Sequence, residues 1–373
     1  VAGRHPDRRI AGSNGVTGGL RAGIVGVGFM GEVHARAVRA AGGTVTRAIG
    51  STGRSSVTGA KRIGADSASM SVEALVSDPD VDVVHVCAPN WLHHKVAALA
   101  LDAGKHVVCE KPLAISVADA AALTRQADAA ALVAVVPFVY RFHPMVREAR
   151  ARLARGELGA PLVLHGNYLQ DWLGRARDTN WRVDPALGGP SRTFADIGVH
   201  WCDLVEFVTG QRIVRLAGRA LVAHPERGAT EDAVTLTFQT DDGAIGSLVV
   251  SQVSHGRKNS LRFSVDGSHG SLAFDQEAPD LLWLGYPDAT VTLSRGGEEA
   301  DAETRRLSLL PPGHPQGYQD AFNCFVRDAY AKISGQEPDG LPTFDDGLRS
   351  AYLTEAVLAA VTSDGWIDVG EAR

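Results

Sequence analysis

Between residues 21 and 140 the chain alternates short, continuous apolar runs with longer segments in which apolar residues recur every three or four positions. The runs Ile24 to Val27, Thr44 to Ile49, Val81 to Ala88, His106 to Cys109 and Leu132 to Phe138 predict strands buried on both faces. Helices are predicted from Met30 to Ala41, from Val57 to Ile63, near Val72 to Ser77, from the Asn90 region to Ala103, and once more before Leu132. Strand and helix in strict alternation predict a parallel sheet with helices on both faces. A helix from Pro144 to Arg155, stopped by Gly156, changes the rhythm. Strand-like runs then follow at Pro161 to Leu169, Ile213 to Val222, Ala233 to Gln239, Ala244 to Val253, Ser260 to Val265, Ser271 to Phe274, Leu281 to Leu284 and Val291 to Leu293. Turn residues such as Thr240-Asp241-Asp242-Gly243 and Asp266-Gly267 separate several of them, and intervals this short imply an antiparallel or mixed sheet. Further helices are expected over Asp196 to Thr209, Tyr318 to Ser334 and Phe344 to Thr362. The pattern is an α/β chain of two domains, 21–140 and 141–373. Residues 1–20, rich in Gly, Arg and Ser and without an apolar core segment, are expected to be a flexible tail.

The junction of the first strand and helix reads Gly26-Val27-Gly28-Phe29-Met30-Gly31. In a strand–turn–helix context this G-x-G-x-x-G spacing is that of a dinucleotide-binding Rossmann domain. Gly26 permits the turn, Gly28 lets a pyrophosphate approach, and Gly31 lets the helix pack closely, so that N–H groups near Phe29 and Met30 face the phosphates. Such a triplet means little alone in a chain with 41 glycines. Its context carries the reading. The acidic residue that usually binds the ribose hydroxyls is missing: Ser51 stands about 20 residues past Gly31, and no Asp or Glu occurs from Val33 to Ala65. With Ser51, Thr52 and Arg54 available to a 2′-phosphate, NADP is favoured slightly over NAD. On the other reading Ser51 or Thr52 bonds the ribose and Arg54 is solvated.

Composition narrows the class without defining it. The net charge of −6 is mild and gives no reason to expect nucleic acid or an anionic membrane as partner. No apolar stretch approaches the roughly 20 residues of a membrane span. The four scattered cysteines, with no metal-type His/Cys spacing, are expected to be reduced thiols of a cytoplasmic protein with no bound metal.

Candidate chemistry gathers at strand ends, where ligands of open α/β sheets bind. After Val81 to Ala88 comes Pro89-Asn90-Trp91-Leu92-His93, where His93 contacts the cofactor or packs against the loop. After His106 to Cys109 comes Glu110-Lys111-Pro112, a lysine where substrate and nicotinamide would meet. In the second half, Asp196 and His200 are four apart and share a helix face, as a surface pair or as catalytic groups; Asp203 falls one position off that face and is left out. The polar and aromatic clusters Tyr168-Leu169-Gln170-Asp171-Trp172, Asn180-Trp181-Arg182 and His255-Gly256-Arg257-Lys258-Asn259 suit a polyhydroxylated ligand, although Trp172 and Trp181 could equally pack a domain boundary.

The glycine triplet, Ala88-Pro89-Asn90 with His93, Glu110-Lys111-Pro112, Tyr140-Arg141-Phe142-His143-Pro144 and Asp196-Ile197-Gly198-Val199-His200 together resemble the glucose-fructose oxidoreductase / inositol dehydrogenase / rhizopine catabolism (Gfo/Idh/MocA) family. The order and spacing match from about residue 21 onward. The resemblance implies an N-terminal Rossmann domain, a C-terminal α/β domain with a large, mostly antiparallel open sheet, and assembly as a homodimer or homotetramer. It implies a catalytic set of Lys111, Asp196 and His200. Cofactor contacts would come from Gly26, Gly28, Phe29, Met30, Gly31, Ser51, Thr52, Arg54, Ala88, Pro89, Asn90, His93, Glu110, Lys111, Arg141, Trp181 and Arg182. Tyr140, Tyr168, Gln170, Trp172, His255 and Arg257 would take the substrate, in a pattern similar to a sugar-oxidising branch that includes levoglucosan dehydrogenase. Gly188-Gly189-Pro190 departs from the three glycines often found there, which bears on substrate identity more than on reaction type. The expected activity is NAD(P)-dependent hydride transfer from a secondary alcohol of a sugar, cyclitol or related polyol. The alternatives are an NAD-dependent glycosidase or lyase working by transient oxidation and elimination, and a non-catalytic cofactor-binding regulator.

Overall fold

The computed structural model describes residues 19–370, so most of the expected 1–20 tail lies outside the described residues. Six strands, β1 (Arg21–Val25), β2 (Thr44–Ile49), β3 (Ser67–Ala68), β4 (Val83–Val86), β5 (His106–Cys109) and β6 (Ala134–Val135), form one parallel sheet in the order β3-β2-β1-β4-β5-β6. The order reverses between β1 and β4, which opens a crevice at their carboxyl ends. All four residues of β4 are buried, as a strand covered on both faces requires. The second helix starts at Gly53, four residues before the expected Val57. Thr52 and Ser55 supply a capping box: the Ser55 N–H donates to Thr52 Oγ1 (3.1 Å) and the Thr52 N–H to Ser55 Oγ (2.8 Å).

The second sheet has nine strands: β7 (Pro161–Leu169), β8 (Ile213–Leu221), β9 (Ala233–Thr240), β10 (Ile245–Ser251), β11 (Ser260–Gly267), β12 (Ser271–Asp275), β13 (Leu281–Tyr286), β14 (Ala289–Ser294) and β15 (Ile367–Asp368). Their order is β14-β13-β12-β11-β7-β10-β9-β8-β15. The β7–β10 pair is parallel and the others are antiparallel, so the expected α/β class with a large, mostly antiparallel second sheet is borne out. Side chains alternate across it. Leu164, Phe238, Leu248, Phe263 and Phe274 point inward and share one core with helix Val199–Thr209, whose buried Trp201 stacks edge-on to Phe238 and donates its indole N–H to the Arg262 carbonyl (2.8 Å). On the opposite face Val163, Leu221, Ile245, Val249, Leu281 and Trp283 are exposed.

The two cores do not divide where the sequence pattern changes. Helix Tyr318–Ile333, expected to belong with residues 141–373, lies against helix Phe29–Ala40, and its Phe322, Phe325, Ala329 and Tyr330 join Ile24, Val38 and Val45 in one core. Helix Phe344–Val361 packs on both Val117–Ala130 and β8. The C-terminal chain therefore clasps the first domain to the second. No helix among the described residues is long and apolar enough to cross a membrane.

Phe325 is fully buried at this clasp. Phe325→Ala should lower stability by about 3–5 kcal/mol, seen as an earlier thermal unfolding transition. An unchanged transition would mean that the helix adds nothing to the first domain's core.

Candidate active site

A cavity of about 1080 Å³ runs from the crevice between β1 and β4 to the inner edge of the second sheet. Its first end is built from the β1–helix turn. Gly26 has φ +101°, and a Cβ there would come within 2.3 Å of the Cys87 carbonyl oxygen; a Cβ on Gly31 would come within 2.2 Å of the Gly26 carbonyl oxygen. Those two glycines serve the protein's own packing. A Cβ on Gly28 would meet no protein atom within 4 Å, so the room it leaves faces the cavity. The N–H groups of the first helical turn, at Phe29 and Met30, have no partner inside the helix and open on the same space. Glycine clearance, a helix N-terminus and an elongated cavity fit a dinucleotide.

Farther from the turn, Ser51, Ser55 and Arg62 line the wall. Arg62 is paired to Glu32 (2.8 Å) and donates to the Val27 carbonyl. Two expected contacts are elsewhere. Thr52 is occupied as the helix cap, and Arg54 is exposed outside the cavity lining, because the helix begins at Gly53 and turns it outward. Arg62, about two turns later on the same helix, is the arginine that lines the cavity.

On the other side of the crevice, Ala88, Pro89, Asn90, His93 and Glu110 line the cavity. His93 is buried, with Nε2 at 2.8 Å from the Ala88 carbonyl and Nδ1 at 2.7 Å from the Pro112 carbonyl, so it ties together the loops that follow β4 and β5. The Asn90 amide donates to the Gly188 carbonyl (2.8 Å), which fastens this loop to the second domain.

At the domain junction the Lys111 ammonium donates to Asp196 Oδ1 (2.8 Å) and to the Asp196 carbonyl (2.5 Å). Gln252 donates to Asp196 Oδ2 (2.7 Å), and the Arg182 guanidinium lies 3.4 Å from Oδ1. Burial by itself would raise the Asp196 carboxyl, but Lys111 and Arg182 pull it far below the usual carboxylate range. Asp196 sits in a π-helical turn, Phe194–Gly198, that runs into helix Val199–Thr209, and this winding still brings Asp196 and His200 to one cavity wall. His200 is buried edge-on to the rings of Phe138 and Tyr140, and its Nδ1 has no hydrogen-bond partner. Burial, then the charge of Lys111, hold this imidazole well below its usual range against the pull of Asp196.

Beyond His200 lies a closed polar ring. Asn259 Nδ2 donates to the Tyr140 hydroxyl (3.2 Å), which donates to the Tyr168 hydroxyl (2.5 Å), which donates to Asn259 Oδ1 (2.8 Å). Gln170 donates to Asn259 Oδ1 (2.7 Å) and accepts from the Trp172 indole (2.8 Å). All five residues line the cavity, as do Trp181 and Arg182. His255 and Arg257 do not: both are exposed on a turn held down by Asp171, which accepts from the Gly256 N–H (2.9 Å) and pairs with Lys258 (2.7 Å). Arg141 is also misplaced by the sequence reading. Its guanidinium is buried against Asp203 and Asp346 in a separate cavity, where it locks helix Phe344–Val361 to helix Val199–Thr209. Asn259, part of the expected His255 to Asn259 cluster, is the member of it that lines the cavity, and Gln252, a polar residue just past the end of β10, is the position the reading missed.

This architecture is that of an NAD-binding oxidoreductase. Residues 20–138 match the oxidoreductase family with NAD-binding Rossmann fold, and residues 146–273 match the GFO/IDH/MocA C-terminal domain. Levoglucosan dehydrogenase of Pseudarthrobacter phenanthrenivorans is 26% identical over 94% of this chain and 98% of its own length. The 1,5-anhydro-D-fructose reductase of Ensifer adhaerens is 31% identical over 88% and 91%. A solved structure of levoglucosan dehydrogenase in complex with NADH and levoglucosan superposes with a TM-score of 0.88 at 27% identity, covering 94% of this chain and all of the other. The chain belongs to the GFO/IDH/MocA family, in the company of sugar and inositol dehydrogenases.

Because the unfolded chain would bind its proton more readily than the folded one, His200 works against the fold as pH falls below about 6.5. Histidine NMR titration should find His200 neutral throughout the neutral range. In Lys111→Met its midpoint should move upward, since the attraction of Asp196 is then less opposed. A midpoint that stays in place or falls would show that Lys111 does not act on this imidazole.

Proposed function

We propose that this protein oxidises a secondary alcohol of a sugar, cyclitol or related polyol, using NAD(P)+ bound along the Rossmann end of the cavity. The observation that carries this reading is the convergence of Lys111, Asp196 and His200 on one wall, between the nucleotide crevice and the polar ring of Tyr140, Tyr168 and Asn259. The nicotinamide, when bound, supplies the hydride acceptor. Lys111 has three N–H donors and gives two to Asp196, leaving one for the reacting oxygen, where it stabilises developing alkoxide charge. His200, held neutral, accepts the hydroxyl proton. Asp196, gripped by Gln252 and near Arg182, orients the lysine. Gln170 and Asn259 offer amide groups to further hydroxyls, and Trp172 and Trp181 offer ring faces for the C–H side of a sugar.

At the ribose end, the Ser51 hydroxyl and the Arg62 guanidinium line the same stretch of cavity, and the neighbouring carboxylate, Glu32, is already paired. This favours NADP(H). NADH in the levoglucosan dehydrogenase complex supports the second reading, in which the same hydroxyls bind an unphosphorylated ribose. The uncovered apolar face of the second sheet supports assembly of this chain as a homodimer or homotetramer. The four free cysteines suit a reducing compartment, the cytoplasm.

Incubation with a panel of sugars and inositols, followed by reduced-nicotinamide absorbance, tests the reaction: cofactor reduced in proportion to product is expected. Product formed without net reduction would overturn it in favour of oxidation and elimination. Lys111→Met should lower kcat by about 10²–10³-fold while the cofactor dissociation constant changes little. Near-normal turnover would remove Lys111 from the mechanism. Separate titrations should find NADPH bound more tightly than NADH; the reverse order assigns Ser51 and Arg62 to the ribose.

A further inference from the structure

Behind the cofactor cavity runs a buried polar chain that this chemistry does not use. His34 lies on the helix after β1, His85 on β4, Glu110 just past β5, and Tyr330 on helix Tyr318–Ile333, which packs into the first domain's core. His34 and His85 are 0% exposed, Tyr330 6% and Glu110 7%. The Tyr330 hydroxyl is 3.0 Å from His85 Nε2, His85 Nδ1 is 2.9 Å from His34 Nδ1, and His34 Nε2 is 3.0 Å from Glu110 Oε1. The other oxygen of Glu110 accepts the backbone N–H of Lys111 at 3.2 Å.

Counting donors and acceptors decides where the protons lie. One hydrogen fits between the two Nδ1 atoms. If a neutral His34 carried it, His34 Nε2 would be bare, and Glu110 would need a proton of its own to make the next bond. If His34 were a cation, His85 would carry its proton on Nε2. The hydroxyl hydrogen of Tyr330 would then have no acceptor among the described residues. The remaining arrangement satisfies every group. Tyr330 O–H donates to His85 Nε2, His85 Nδ1–H to His34 Nδ1, and His34 Nε2–H to the Glu110 carboxylate. Burial keeps the His85 imidazole well below its usual range, in agreement with a neutral ring.

We propose that Tyr330, His85 and His34 are positioning residues for Glu110: a one-way hydrogen-bond chain sets the tautomer of His34, whose Nε2–H holds the Glu110 carboxylate at the floor of the cofactor cavity beside Lys111. The functional consequence rests on the reading of that cavity as the nicotinamide site. A carboxylate fixed there favours the cationic, oxidised ring over the neutral, reduced one.

Nitrogen-15 NMR of histidine-labelled full-length protein without cofactor tests the chain directly and independently of the activity. His34 should be neutral and protonated on Nε2, and His85 neutral and protonated on Nδ1. A cationic His34, or one protonated on Nδ1, overturns the proposal. The consequence is tested by comparing His34→Gln, whose amide reaches about where Nε2 stands, with His34→Leu, which fills space without a donor. The ratio of the NAD(P)+ and NAD(P)H dissociation constants should stay near wild type in His34→Gln and shift about tenfold against the oxidised form in His34→Leu. An equal ratio in both variants would reduce His34 to packing. Tyr330→Phe removes one hydroxyl and little volume, so it serves where the His34 variants do not fold. It leaves His85 Nε2 without its donor, so the nitrogen-15 signal of that atom should move toward that of an unbonded acceptor, and an unchanged His85 Nε2 signal would overturn the chain.

Discussion

Lys111 follows a strand of one domain and Asp196 opens a helix of the other, and their ion pair is largely shielded from water where the two cores meet. Taking both charges out of water costs several kcal/mol per ion, and a pair of this kind adds little to stability compared with apolar packing. It survives because the surrounding structure supplies the bonds that water would have made: Gln252 on the second carboxylate oxygen, Arg182 nearby, and the Asp196 carbonyl on the lysine. Everything that sets the relative position of the two domains therefore also sets this distance.

Several devices do so. Helix Tyr318–Ile333 returns to the first core, helix Phe344–Val361 bridges to β8, Arg141 pins that helix through Asp346 and Asp203, and Asn90 reaches the Gly188 carbonyl. None of these groups needs to touch a substrate. They make the crevice a fixed cleft, so that a lysine at a strand end and a histidine on a remote helix face the same volume.

Within that cleft polar satisfaction is uneven, and the unevenness is informative. The ring of Tyr140, Tyr168 and Asn259 closes on itself, which makes it a rigid wall. His200 Nδ1 is buried without a partner, a state that costs free energy unless something else uses it. That rigid wall and the side chains of Lys111 and His200 line the same cavity.

Wherever the signal is local, the sequence by itself determined the outcome. The Gly26, Gly28 and Gly31 turn, the apolar strands of the first sheet, and the shared wall of Asp196 and His200 all follow from spacing within one turn or one strand. Glu110 and Lys111 were legible because a strand end in an open α/β sheet faces the ligand wherever the sheet lies. Tertiary structure decided the rest. Thr52 and Arg54 were diverted by a helix that starts early on its own cap. His255 and Arg257 were turned outward by contacts with Asp171, while Asn259, two residues on, entered the cavity. Arg141 found two carboxylates distant in sequence, and Tyr330 found His85 across the domain boundary. In these cases the deciding partner lies tens to hundreds of residues away, and the composition of one stretch carries no record of which distant group will satisfy a buried charge or hydrogen bond.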